Sequence, residues 1–202
     1  MRLIQLIRIY SSLLSCMLLF TGLSCTNDDH NMAISGGQSY FSSYGFSIQF
    51  PDNWAIIENH EANEISAWNI QKMGHGIPLE NINIYFRKQI GPRTLEEVLT
   101  IDSLDNLALK RKMGAWYDTF FSPSIVEETD TIISGHNAHR TITIDSPPGS
   151  DLEITALGYR IIWDNYDIEI VCSAATDSFQ IYLNLFEDVV RSISFADDSA
   201  KG

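Results

Sequence analysis

The sequence is short of cysteine, of basic residues and of long apolar runs, and each shortage excludes something. Its 202 residues hold three cysteines, Cys16, Cys25 and Cys172. The first two fall within or at the end of an export-type leader, so with Cys25 modified Cys172 is the one free thiol and no internal disulfide can form. Lysine and arginine number 13 against 26 aspartates and glutamates, a formal charge of −13. Loss of the leader, which carries Arg2 and Arg8, deepens that charge by two. Coulomb repulsion then opposes both nucleic acid and anionic lipid, so no nucleic-acid partner is expected. The charge serves solubility in the simplest reading, and a cationic partner is the sharper alternative. The uncharged apolar run, Ile9 to Leu23, is too short to cross a bilayer comfortably, since about 20 residues are needed.

Signatures of catalysis are missing as well. There is no Gly-x-Ser-x-Gly elbow, and "MGHGIP" has neither the spacing nor the lysine of a phosphate loop. Glu96-Glu97 and Glu127-Glu128 are paired carboxylates, but in so acidic a chain they read as helix-end and solvent-face charges. No catalytic residue and no cofactor is expected, and the protein is not expected to be an enzyme.

What is present begins with "MRLIQLIRIYSSLLSCMLLFTGLSC": two arginines, an apolar run and small residues, the order of an export signal. The segment resembles a bacterial lipoprotein signal, with Ser24 before Cys25 and the polar run "TNDDHN" after it. Leu23 and Gly22 depart from the usual lipobox, and Gly22 with Ser24 also suits ordinary signal peptidase. Both readings cut between Ser24 and Cys25 and differ in whether Cys25 carries lipid. Cys16, preceded by Leu13 and Ser15, is the other candidate, but "MLLF" is a poor start for a mature protein. The expected organisation is a signal peptide over 1–24, an acidic tether over 25–39 with a reach of about 20 Å, one domain over 40–196 and a disordered tail over 197–202. Lipid on Cys25 implies a cell-envelope location, with the outer membrane favoured by the acidic run.

Within the domain, Phe46, Ile48 and Phe50 alternate with polar residues before Pro51, which marks a half-buried strand. "EISAWNIQ", "INIYFRKQI", "SIVEETDTIIS", "AHRTITID", "LEITALGYRIIW" and "YDIEIVCSA" are further strand candidates, and the short turns between them imply antiparallel pairing. In "YDIEIVCSA" Tyr166, Ile168, Ile170 and Cys172 share one face, which makes Cys172 a small core residue. "GPRTLEEVLTIDSLDNLALKRKMG" reads as a helix opened by a Thr94/Glu97 capping box and closed by Lys110, Arg111 and Lys112, with a break plausible near Asp102-Ser103. "TDSFQIYLNLFEDVVRSI" reads as a second helix, with Thr176 as N-cap and a stripe of Phe179, Leu183, Phe186, Val190 and Ile193.

The order of "YGFSIQFPDNW", "GPRTLEEVL" and "FQIYLNLFEDVVRSISF" resembles the Mog1p/PsbP-like superfamily, with Pro51 and Trp54 matching its Pro-x-x-Trp element and Ser194-Phe195 its terminus. The resemblance implies an α+β domain in which an antiparallel sheet is flanked by helices. It also implies a non-enzymatic binding or assembly-accessory module, partnered by another envelope protein and held at the membrane by Cys25. A small-molecule or metal-binding periplasmic receptor is the alternative.

Two groups of side chains qualify as sites. Trp116, Tyr117, Phe120 and Phe121 in "GAWYDTFFSP" either present a partner-binding edge or cover the sheet. His136 and His139 form a metal-like pair, short of the three ligands a site needs unless Glu127, Glu128 or Asp130 approaches in a hairpin; no metal is expected.

Overall fold

Alternation and turn chemistry produce ten strands and two helices among the residues that the computed structural model describes, 37–69, 79–89, 91, 93–113, 123–146 and 150–196. A small sheet is made by β1 (Gln38–Phe41), β2 (Phe46–Phe50) and β10 (Ser194–Phe195), with β2 in the centre and both pairings antiparallel. The large sheet comprises β3 (Trp54–Asn59), β4 (Glu64–Asn69), β5 (Asn81–Lys88), β6 (Ser124–Ile133), β7 (His136–Asp145), β8 (Ile154–Trp163) and β9 (Tyr166–Ala175). Its order is β3-β4-β5-β9-β8-β7-β6, antiparallel throughout. Helix α1 (Leu95–Met113) carries the chain from β5 to β6, and α2 (Thr176–Arg191) follows β9 directly.

The large sheet separates two unlike layers. Its inner face packs on α2 and the small sheet, and cross-strand rows such as Ile65, Ile84, Ile170 and Tyr159 run through four strands of it. A parallel row, Ala67, Ile82, Cys172 and Leu157, places the Cys172 thiol among aliphatic neighbours at 0% exposure. On the outer face α1 crosses β7 and β8. There the residues are polar, and Glu64, Tyr85, Glu169, Arg160, His139 and Asp130 form one continuous row.

Pro51 and Trp54 form a structural device. The Trp54 N–H donates to the Pro51 carbonyl at 3.1 Å, closing the turn, and the buried indole meets Phe186 of α2 edge-on at 6.4 Å. The capping box is formed: the Glu97 N–H donates to Thr94 Oγ1 at 3.2 Å, and the Thr94 N–H donates to Glu97 Oε2 at 2.8 Å.

Several expectations need correction. The domain begins two residues inside the expected tether, because Gln38 pairs with Phe50 and its side-chain amide donates to the Trp54 carbonyl at 2.7 Å. β1 and β3 were not legible as strands. α1 runs unbroken past Asp102-Ser103, where the Asp102 carboxylate is held by Arg160. Thr176 is the first helical residue rather than the N-cap; Ala175 occupies the cap, and the Thr176 N–H is satisfied by the Glu153 carbonyl at 2.9 Å. The buried stripe of α2 is Phe179, Tyr182, Leu185, Phe186, Val189 and Val190, with Leu183 at its margin. The hairpin turn between β6 and β7 falls at Ser134-Gly135, both at positive φ (50° and 83°), the pattern of a type I′ turn, so His136 and Asn137 already belong to the strand.

Candidate functional site

Strand periodicity decides the fate of the histidine pair. His136 and His139 are three residues apart on β7, so their side chains leave opposite faces. The His136 ring packs edge-on against Phe195 at 5.0 Å on the inner side. On the outer side the β6–β7 hairpin does bring acidic residues to His139, whose Nδ1 is 2.9 Å from Asp130 Oδ1 and whose Nε2 is 2.8 Å from Glu128 Oε1. Both ring nitrogens of His139 are thus engaged by carboxylates of β6. Among the described residues no group of three or more potential ligands could hold a metal ion. Trp116, Tyr117, Phe120, Phe121 and Cys25 lie outside the described residues. Burial pushes the Cys172 thiol far above its usual value, as expected of a core residue.

A cleft that the sequence did not assemble lies at one end of the molecule. It measures about 550 Å³ and is lined by Ser43, Tyr44, Gly45, His60, Trp163, Asp164 and Tyr166. These come from three turns, β1–β2, β3–β4 and β8–β9, which the antiparallel topology places side by side. Each turn contains a residue in the left-handed region: Gly45 (φ 92°), Asn63 (φ 52°) and Asp164 (φ 51°). Gly45 meets a second demand, since a Cβ there would lie 3.3 Å from Cη2 of Trp163.

Ring packing builds the walls. Tyr44 stacks on Phe86 with centroids 4.5 Å apart, and Tyr166 stands at 76° to Tyr44 at 6.1 Å. Trp163 is buried in a stack between Tyr166 (6.4 Å) and Phe195 (4.9 Å). The Tyr44 hydroxyl donates to Asn63 Oδ1 at 3.0 Å, tying the first turn to the second, and the Gln89 N–H donates to the Asn165 carbonyl at 2.6 Å behind the third.

Behind the wall stands Glu58. Its Oε2 accepts from the Tyr40 hydroxyl, its Oε1 accepts from Ser43 Oγ at 3.0 Å, and His60 Nδ1 is 3.4 Å away. Burial, and then the nearby Glu58 charge, raise the phenol pKa of Tyr44. Tyr40 is raised further, by burial and by its hydrogen bond to Glu58. Tyr44, the one of the two that lines the cleft, is therefore a neutral phenol at any physiological pH.

No protein-family model and no curated protein matches the sequence. Solved structures do match. The solution structure of cyanobacterial PsbP (CyanoP) from Synechocystis sp. PCC 6803 aligns with a TM-score of 0.60 at 13% identity, over 84% of this chain and 98% of that one. The domain has the PsbP-like fold. A crystal structure from Bacteroides thetaiotaomicron VPI-5482 aligns at 14% identity and a TM-score of 0.50, covering 82% of this chain and half (50%) of the other. At such identities the likeness is one of architecture, and the cleft residues of this PsbP-like domain are argued from their own geometry.

Aromatic residues flanking three separate turn signals were the trace of this cleft in the sequence. Tyr44, His60 and Tyr166 are 122 positions apart at the extremes, and periodicity carries no information over that distance.

Proposed function

We propose that this protein is a lipid-anchored, extracytoplasmic, non-enzymatic module that binds another component of the cell envelope. The observation that carries the reading is the cleft of about 550 Å³, walled by aromatic rings and turn backbone on a rigid sheet. Its volume falls in the range of specific binding sites, roughly 300–1,000 Å³. The lipoprotein-type leader and the PsbP-like fold agree with it.

The anchor in this reading is Cys25, acylated after cleavage behind Ser24 and followed by the acidic segment as a spacer. A radiolabelled fatty acid should enter the wild-type chain and not Cys25→Ala, and the variant should leave the membrane fraction. Crosslinking in native membranes followed by capture should recover one dominant envelope protein with the wild type and lose it with Cys25→Ala. Unchanged mass and partitioning in Cys25→Ala would defeat the anchor, and capture of nothing above background would defeat the module.

The size of the cleft also suits a free small molecule, which keeps the receptor reading as the second choice. The metal variant of that reading loses its ligands, since His136 and His139 diverge.

A further inference from the structure

Helix α1 faces two ways. Val98 is buried and Asp102 meets Arg160 of β8, so these residues mark the side that lies on the sheet. At 3.6 residues per turn the opposite side carries Glu97, Thr100, Leu104, Leu107 and Arg111, all of them exposed. Their spacing of three, four, three and four is that of a coiled-coil seam. Leu104 and Leu107 are 61% and 45% exposed, and a helix face meant only for water gains nothing from two leucines one turn apart.

Charge is ordered along the same helix. Glu96 and Glu97 stand in its first turn and Lys110, Arg111 and Lys112 in its last, with the two leucines between. Glu96 and Arg111 are 15 positions apart, about 22 Å along the axis, too far to meet within one helix. A second α1 turned end for end presents the opposite order. With a two-fold axis between Leu104 and Leu107, Leu104 of each protomer meets the partner's Leu107. Arg111 then falls opposite the partner's Thr100, one turn or about 6 Å from the partner's Glu96, a span its side chain covers.

Other occupants match one end of the stripe and clash with the other. An anionic lipid surface or acidic segment would be repelled by Glu96 and Glu97, and a basic segment by the cations of the last turn. Each copy carries −13, which opposes association, but at about 0.15 M salt that repulsion is screened beyond about 8 Å while the complementary ends lie in contact.

We propose that α1 pairs antiparallel with α1 of a second copy of this chain, forming a two-fold dimer across Leu104 and Leu107. The seam is short, so the dimer is weak and concentration-dependent, with a Kd on the order of 10 μM.

Sedimentation equilibrium of the full-length chain in an uncharged, density-matched detergent tests this. The wild type should pass from monomer to dimer between about 1 and 200 μM. Leu107→Ser should weaken the dimer about tenfold or more; the side chain is exposed in the monomer, so its melting curve should not move. Glu96→Lys and Arg111→Glu should each weaken the dimer about fivefold, and the two together should return it to within about twofold of wild type. The capping box uses Glu97, so Glu96 can be reversed without opening it. Both reversals oppose the helix dipole, so recovery in the double variant can come only from pairing between copies. A dimer that Leu107→Ser leaves unchanged, or a double variant no tighter than its singles, would overturn the proposal. So would a wild type that is monomeric throughout; if Leu107→Ser then loses an envelope protein in membrane crosslinking, the face belongs to that protein instead.

Discussion

Asp167 is a charge at 2% exposure, and the reason it is tolerated is Arg160. The guanidinium donates twice to it, Nε to Oδ1 at 2.7 Å and Nη2 to Oδ2 at 2.6 Å, and also reaches Asp102 on α1. Burial alone would lower the Arg160 pKa, but the hydrogen bonds and charges of Asp167 and then Asp102 more than reverse it. Removing Asp167 leaves Arg160 with Asp102 alone, and removing Arg160 leaves Asp167 with only Arg87 Nη1 at 3.8 Å, each in a largely dry site. Asp167→Ala should therefore destabilise by about 3–5 kcal/mol in urea unfolding, whereas the double variant Asp167→Leu/Arg160→Met should recover much of the loss. A double variant as unstable as the sum of its singles would show that the pair is not coupled.

Tyrosines make a second prediction at this scale, in alkali. Tyr85 and Tyr159 are raised above the ordinary value of 10 mainly by burial, and Tyr40 and Tyr44 by burial and Glu58. A raised folded-state pKa means the folded protein holds its protons longer than the unfolded chain, so stability is intact below pH 10 and falls as pH climbs above it. The urea midpoint should be flat from about pH 8 to 9.5 and drop steeply beyond 10, and Tyr85→Phe should lessen that drop. Residue-scale features were legible where periodicity governs them: Cys172 was placed in the core by alternation alone. Asp167 was placed on the outer face by the same rule, but its burial depends on Arg160 and α1, which alternation cannot see.

Among the elements, α1 depends most on its own sequence. Its only buried residue among those described is Val98, so packing contributes little and the Thr94/Glu97 box matters correspondingly more. Thr94→Ala should cost about 1 kcal/mol of helix stability, visible as faster amide exchange over residues 96–98 with little change in the global melting point. Equal loss of protection throughout the sheet would mean that α1 unfolds only with the whole domain. The capping box could be recognised in the sequence because it is a local pattern. The continuity of the helix past Asp102 could not, since a side chain 58 positions away supplies the restraint. β6 shows the opposite case, a strand that reads clearly and whose edge role is hidden. It is the last strand of the large sheet, with a register shift between Ile125 and Glu127 that leaves Val126 unpaired. Glu127, Glu128 and Asp130 are exposed along its middle. A bulge and charges are how an edge is kept from pairing with other chains, so we read this strand as guarded, not as a docking edge.

At the scale of the whole molecule, topology sets the cleft and the chain entry at opposite ends. The chain enters β1 at Gln38, beside Phe50 and the Pro51-Trp54 turn, and β1 then runs toward Ser42–Gly45, where the cleft opens. β8 and β9 span the same direction, from Ile154 and Ala175 at the entry end to Trp163 and Tyr166 at the cleft. Ten residues of strand measure about 33 Å, longer than the root-mean-square reach of about 20 Å expected of the acidic segment as a tether. Under the anchor proposed at Cys25, the Pro51–Trp54 end faces the bilayer on average and the cleft points away from it. A photoreactive residue at Asn53, which is exposed at the entry end, should yield lipid adducts in native membranes, and the same residue at His60 should yield protein adducts. The reversed pattern would place the cleft against the membrane and overturn this orientation.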